Sequence, residues 1–168
     1  MKTCVLDIET EGLEPWNDRL VCIGVRDIDS HKTIVFLEED ERTMLERFIL
    51  WYKRGGFREV IGFNVTFDLR FLFARCLKYE LSAGELFHST FTDIMDNLKS
   101  VKRMYSYNKP GKLNEWVQCV LGTSKLEKGD AVKEMYENRE FTKIIQYCKQ
   151  DVNLTYDLWV RIQKVLSC

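Results

Sequence analysis

A short stretch near the start of the chain alternates between apolar and polar side chains. Residues 4–10 read Cys-Val-Leu-Asp-Ile-Glu-Thr, and this alternation together with the β-branched residues predicts a strand. Residues 19–27 and 32–37 predict a second and a third strand, and the link of four residues between them suits a hairpin. We therefore predict that the chain opens with a meander of three strands.

Helical spacing replaces the alternation after residue 40. Residues 41–52 place their apolar side chains on one helical face, and the glycines at 55 and 56 are typical of a helix end. Residues 60–63 form an apolar run that predicts a buried strand. A helix over residues 67–77 follows, with Asn64 or Thr66 as its cap.

The second half of the chain is mostly helical in pattern. The predicted elements in chain order are a fifth strand at 87–94, a loop at 100–110, and helices at 112–121, at about 130–138 with Asp130 as cap, and at about 140–166.

A strand meander followed by alternating strands and helices predicts an α/β fold. We expect a mixed central sheet of about five strands, flanked by helices, with the first strand near its centre. The length of 168 residues suits one domain, and no linker or repeat divides the chain. We therefore predict a single domain over residues 1–168.

Composition narrows the functional classes only a little. Apolar residues make up 45% and charged residues 30%, and the net charge is −1, so a nucleic-acid partner would have to be attracted locally. The six cysteines are scattered without a C-x-x-C pair, so we predict reduced thiols and no zinc site. No signal peptide and no apolar run of membrane-spanning length is present, so we expect a soluble, cytoplasmic protein without a membrane partner.

The first strand carries the first candidate chemistry. Asp7 and Glu9 are two residues apart, so their side chains point to the same face, opposite Leu6 and Ile8. Two carboxylates that close repel each other unless a proton or a cation lies between them. Oxygen ligands of this kind suit Mg²⁺. An exposed acidic strand face is the alternative.

Two further acids come from distant parts of the chain. Asp68 lies in the first turn of a predicted helix, where the helix dipole alone favours a carboxylate. Asp151 lies near the apolar stripe of the last helix, four residues after Tyr147 and on the same face. An acid at the edge of a core needs a partner, which a metal ion or a salt bridge could supply.

Taken together, these residues resemble a known family. The resemblance rests on three motifs in chain order: Asp7-x-Glu9, Asn64-x-x-x-Asp68 and Tyr147-x-x-x-Asp151. They look like the motifs of the DEDD (DnaQ-like) 3′–5′ exonucleases, which have the ribonuclease H-like fold. The tyrosine resembles the tyrosine subtype, which includes ribonuclease D and the proofreading domain of family B DNA polymerases. The residues around the motifs are most similar to those of free-standing exonucleases related to that proofreading domain.

The resemblance implies a mechanism with two divalent ions, Mg²⁺ or Mn²⁺. Asp7 would bridge both ions, Glu9 and Asp151 would hold the ion that activates the attacking water, and Asp68 would hold the second ion, through water. Tyr147 would orient the water. The products would be nucleoside 5′-monophosphates, released from a free 3′ end of a single strand, with DNA favoured over RNA.

The resemblance also implies a substrate groove. It would be lined by Thr10, Gly12 and Leu13 after the first strand and by Asn64 and Phe67 in the second motif. Separately, basic residues between Lys99 and Lys112 alternate with tyrosines, which suits stacked bases of a single strand, although a solvated loop explains them equally. Two alternatives stay open: an exoribonuclease of the ribonuclease D kind, and a nucleic-acid-binding module without catalysis.

Overall fold

The protein is built around a mixed sheet of five strands. The computed structural model describes residues 1–102, 111–123 and 131–167, and the side chains of all of these except 99–102. The strands are β1 (Thr3–Thr10), β2 (Leu20–Asp27), β3 (Thr33–Phe36), β4 (Glu59–Gly62) and β5 (Thr90–Asp93). Their order is β3-β2-β1-β4-β5, with β1 to β3 antiparallel and with β4 and β5 parallel to β1. The predicted meander, the mixed sheet and the central first strand are confirmed.

Helices cover both faces of this sheet. They are α1 (Glu41–Gly55), α2 (Val65–Lys78), α3 (Gly84–Phe87), α4 (Ile94–Lys102), α5 (Leu113–Leu121), α6 (Ala131–Glu137) and α7 (Phe141–Leu166). On β1, Leu6 and Ile8 belong to the core shared with α1 and α2, whereas Val5 packs in the core shared with α5 and α7. Asp7 and Glu9 therefore lie on the α7 side, as the alternation along the strand predicts.

The region from residue 84 to 102 differs from the prediction. The strand predicted at 87–94 is only Thr90–Asp93, with α3 before it and α4 directly after it. The Asp93 carboxylate accepts a hydrogen bond from the backbone of Met95 at 2.9 Å, which starts α4 and stops the strand. Residues 100–102 of the predicted loop are helical, and its remainder, like the predicted cap Asp130, lies outside the described residues.

Asn64 occupies the position before α2 but does not cap the helix through its side chain. Its backbone is left-handed, with φ 63° and ψ 36°, and its side chain makes no capping hydrogen bond. Its N–H instead donates to the Asp93 carboxylate at 2.9 Å, which ties the start of α2 to the end of β5. The prediction of a side-chain cap at Asn64 is therefore wrong, and the exposed side chain is left for other contacts.

Within the described parts of the chain, no helix is both long enough and apolar enough to cross a membrane. That residues 1–168 form one domain stays a prediction.

Candidate active site

The acidic strand β1 extends beyond its parallel neighbour, and this exposes its backbone at the candidate site. Pairing between β1 and β4 covers only Thr3 to Val5 of β1. On its other side β1 stays paired with β2, where Asp7 lies opposite Gly24 and Glu9 opposite Cys22. The half of β1 that carries the two acids is therefore open on the β4 side.

Asp68 closes this open edge. The backbone N–H of Ile8 donates to Oδ1 of Asp68 at 2.9 Å, so the first turn of α2 takes the hydrogen bond that β4 does not reach. Asp68 is buried, and burial followed by the charge of Asp7 raises its pKa well above the usual range. A carboxylate in this position is stabilised by a proton or by a cation.

On the other side of β1, Gly24 allows α7 to approach the sheet closely. A Cβ at Gly24 would lie 2.5 Å from Sγ of Cys148 and 2.7 Å from Cγ2 of Val152, both on α7. Any larger residue would therefore push the helix outward. Since Gly24 is the cross-strand neighbour of Asp7, the contact brings α7 beside the acids of β1.

A polar contact fixes α7 further along its length. Oδ1 of Asn153 accepts hydrogen bonds from Nη1 of Arg26 at 2.8 Å and from the Thr33 hydroxyl at 2.7 Å. The guanidinium of Arg26 also lies 4.3 Å from the ring centroid of Tyr156. These contacts join the helix to β2 and β3, which helps to set the position of the α7 residues that shortly precede Asn153.

Those residues include Tyr147 and Asp151. Both are buried, and their side chains are hydrogen-bonded to each other. Burial first, and then the charges of Asp151, Glu9 and Asp7, raise the pKa of the Tyr147 hydroxyl far above its usual value. Burial and these charges favour the protonated hydroxyl, which can donate a hydrogen bond.

Among the described residues, a group of possible metal ligands includes one residue that the sequence did not indicate. One oxygen of Asp7, one oxygen of Glu9 and Sγ of Cys148 lie within 4.8 Å of one another. Asp68 and Asp151 are not members of this group, although both interact electrostatically with its neighbourhood. The oxygen donors fit a divalent cation such as Mg²⁺ or Mn²⁺. No spacing rule distinguishes Cys148 from the other buried thiols.

Of the predicted groove residues, Leu13 and Asn64 are exposed, whereas Thr10, Gly12 and Phe67 are partly buried. Leu13 is 76% exposed, and its loop is shaped by a hydrogen bond of 2.6 Å from the Thr10 hydroxyl to the Gly12 carbonyl. Phe67 is partly buried against Phe71. The same loop exposes Trp16, which was not predicted, at 68%. Their contact with a nucleotide stays a prediction.

Comparison with known proteins assigns the superfamily. The family model for the RNase_H superfamily matches residues 4–163. The chain therefore belongs to the RNase_H superfamily. It is 29% identical over 170 residues to an uncharacterized protein of Methanocaldococcus jannaschii, a match that covers 95% of this chain and 94% of that protein.

A solved structure agrees with this assignment at the level of the fold. The family B DNA polymerase from the hyperthermophilic archaeon Pyrobaculum calidifontis superimposes with a TM-score of 0.81 and 18% sequence identity. The match covers 97% of this RNase_H superfamily chain and 24% of the polymerase chain, so the chain spans about a quarter of that protein. The ribonuclease H-like fold predicted from the sequence is confirmed.

Proposed function

We propose that this protein is a metal-dependent 3′–5′ exonuclease of the tyrosine subtype. It releases nucleoside 5′-monophosphates from the 3′ end of single-stranded nucleic acid, with DNA favoured. The observation that carries the proposal is the convergence of acids around Asp7. Glu9 comes from the same strand, Asp68 from α2 and Asp151 from α7, and the charge of Asp7 raises the pKa of both Asp68 and Tyr147.

These four acids would hold two divalent ions, Mg²⁺ or Mn²⁺. Bound ions of this kind lower the pKa of water and stabilise the charge on a leaving oxygen. The chain itself supplies the burial that makes the acids favour a cation. Asp68 shows this most directly, since both its burial and its acidic neighbour Asp7 oppose ionisation in the absence of a cation.

Tyr147 would orient the attacking water rather than remove its proton. A phenol with an ordinary pKa of about 10 is protonated at neutral pH, and the Tyr147 hydroxyl is hydrogen-bonded to Asp151. A protonated phenol can donate one hydrogen bond and accept another. The proton of the water would therefore leave by a route other than Tyr147.

The terminal nucleotide would be received at the exposed end of β1. Leu13 offers an apolar side chain to a base, and Asn64 offers an amide that no capping bond occupies. The likeness to a family B DNA polymerase supports the same proposal, because the three motifs resemble those of the proofreading domain in that polymerase family.

Degradation of matched single-stranded DNA and RNA, labelled at the 5′ end, tests the proposal. We expect no hydrolysis in EDTA, recovery with Mg²⁺ or Mn²⁺, and a ladder that shortens one nucleotide at a time. A circular single strand should resist. Asp7→Ala should lose at least about 3–4 kcal/mol of transition-state stabilisation, roughly a hundred- to a thousand-fold in rate. The exposed Asp157 of α7 offers a matched control, since Asp157→Ala should cleave at the wild-type rate.

Each other result has a definite meaning. Cleavage of the circle would indicate an endonuclease, and full activity of Asp7→Ala or of the metal-free protein would contradict the proposal. Faster removal of nucleotides from RNA would favour an exoribonuclease. Tight binding of either strand without hydrolysis in any divalent ion would indicate a binding module.

A further inference from the structure

A thiol belongs to the candidate metal site. Sγ of Cys148 and one oxygen each of Asp7 and Glu9 lie within 4.8 Å of one another, close enough for one ion to contact all three. Cys148 is fully buried, and its sulfur lies against Gly24, the cross-strand neighbour of Asp7. The sulfur thus lies beside the two carboxylates, and the packing of α7 against Gly24 fixes the position of the sulfur.

This ligand set suits two kinds of cation unequally. Mg²⁺ takes oxygen ligands in octahedral geometry and keeps several of its waters. Zn²⁺ accepts sulfur and carboxylate oxygen together, usually with four ligands, and soft thiolates favour it over Mg²⁺ and Mn²⁺. Two carboxylates alone would discriminate weakly among these ions, whereas the added sulfur favours the thiophilic one.

We infer that Asp7, Glu9 and Cys148 form a thiophilic cation site that binds Zn²⁺ and excludes the Mg²⁺ or Mn²⁺ of the proposed nuclease. The binding of Zn²⁺ is independent of the proposed function, whereas the inhibition of hydrolysis by bound Zn²⁺ rests on it. Zn²⁺ displaces the thiol proton of Cys148, which passes to solvent, and occupies the carboxylates of Asp7 and Glu9. Because those carboxylates are also the proposed magnesium ligands, Zn²⁺ lowers the rate of hydrolysis.

A neighbouring thiol defines which sulfur must be tested. Cys22 lies opposite Glu9 on β2 and is hydrogen-bonded to Cys148, but its sulfur is not a member of the three-atom group. Cys119 is exposed on α5 and represents adventitious binding to a surface thiol. The two cysteines therefore provide one near control and one distant control for Cys148.

Titration with Co²⁺ tests the binding without any need for turnover. A cobalt–thiolate bond gives a near-ultraviolet charge-transfer band, and we expect about one equivalent of Co²⁺ to develop it in the wild type. Added Zn²⁺ should remove the band. Cys148→Ser and Cys148→Ala should both lack it, whereas Cys22→Ser and Cys119→Ser should retain it. Absence of the band in the wild type, or its persistence in both Cys148 variants, would overturn the inference.

Inhibition is measured with Mg²⁺-supported hydrolysis, each variant being normalised to its own rate without Zn²⁺. Loss of even an outer ligand contact typically weakens metal binding about 10–100-fold, so Cys148→Ser should need at least about tenfold more Zn²⁺ for half inhibition. Equal sensitivity of the wild type and Cys148→Ser, or full-rate turnover with Zn²⁺ alone, would contradict the inference. A protein that shows the Cys148-dependent band but hydrolyses nothing would refute the proposed function and leave the thiophilic site standing.

Discussion

Two groups of charged side chains with buried members satisfy their charges differently. On the α1 and α2 side, the Glu41 carboxylate accepts hydrogen bonds from the backbone of Leu20 at 3.0 Å, from Nε of Arg75 at 2.7 Å and from the hydroxyl of Tyr79 at 2.9 Å. Glu41 and Arg75 are both buried. This carboxylate therefore finds an opposite charge and neutral donors inside the protein.

The second group, gathered around Asp7 from β1, α2 and α7, collects like charges. Asp68 receives one backbone hydrogen bond, but burial and the charges of Asp7 and Asp93 all oppose its ionisation. Burial alone therefore does not distinguish a carboxylate with a structural role from one with a functional role. A carboxylate matched by a cation of the chain stabilises the fold, whereas carboxylates gathered around one another favour an external cation.

The matched pair of Glu41 and Arg75 also supports the candidate site at a distance. Nη1 of Arg75 lies 3.3 Å from the carbonyl of Pro15, in the loop between β1 and β2. That loop presents Leu13 and Trp16 to solvent. The ion pair thus holds the loop that is proposed to receive the terminal nucleotide, while it takes no part in the chemistry.

Breaking the matched pair should have the largest effect on stability. Glu41→Ala leaves the guanidinium of Arg75 buried without its carboxylate, and loss of one partner of a buried pair typically costs about 3–5 kcal/mol of unfolding free energy. Denaturant unfolding measures the loss. The control is Glu46→Ala on the same helix, which removes the exposed pair between Arg42 and Glu46 and should change stability little. Equal effects of the two variants would refute the stabilising role of Glu41.

Enlarging Gly24 should disturb the acid group through packing. In Gly24→Ala the new methyl meets Cys148 and Val152, and such overpacking costs about 1–3 kcal/mol of stability. Because α7 must move, the fractional loss of hydrolysis rate should exceed the fractional loss of unfolding free energy. Gly84→Ala is the matched control, since its Cβ would meet nothing closer than 3.7 Å. Wild-type rates in Gly24→Ala would mean that the approach of α7 does not position Tyr147 and Asp151.

Removing one hydroxyl should have an intermediate effect. Tyr147→Phe keeps the ring and deletes the hydrogen bond to Asp151. The activation free energy of hydrolysis should therefore rise by about 1–3 kcal/mol, so the rate should fall without vanishing. Metal affinity by calorimetry should stay near that of the wild type. Turnover at the wild-type rate would indicate a tyrosine that only packs in the core.

The smallest effect concerns pH and requires metal-free protein. Because the pKa of Asp68 is raised in the folded state, its contribution to stability is complete below its ordinary pKa and is lost as pH rises through the folded-state value. Thermal unfolding of the metal-free wild type should therefore occur at lower temperature at neutral pH than at mildly acidic pH.

Asp68→Asn keeps an oxygen for the Ile8 N–H and removes the ionisation. This variant should flatten the pH dependence and unfold at a higher temperature at neutral pH. Asp157→Asn removes one exposed carboxylate from α7 and should keep the slope of the wild type. An unchanged slope in Asp68→Asn would show that another group causes the dependence.

Elements with a local pattern were predictable from the residues alone. Alternation located β1, a mostly apolar run located β2, and helical spacing located α1 and the long helix α7. The short α3 and the early start of α4 were missed, since four residues carry too little periodicity and since the carboxylate of Asp93 decides the boundary. Motif spacing likewise placed Tyr147 and Asp151 on one face of a helix.

The way in which the separate motifs meet depends on contacts between residues far apart in the chain. Asp68 reaches the backbone of Ile8 across sixty residues because β4 ends before β1 does. The approach of α7 depends on the missing side chain at Gly24, and it makes Cys148 a neighbour of Asp7. Pattern and propensity report on residues within about two helical turns of each other. Strand order, relative strand length and the fit between a glycine and a helix involve residues far apart in the chain, so no local pattern contains them.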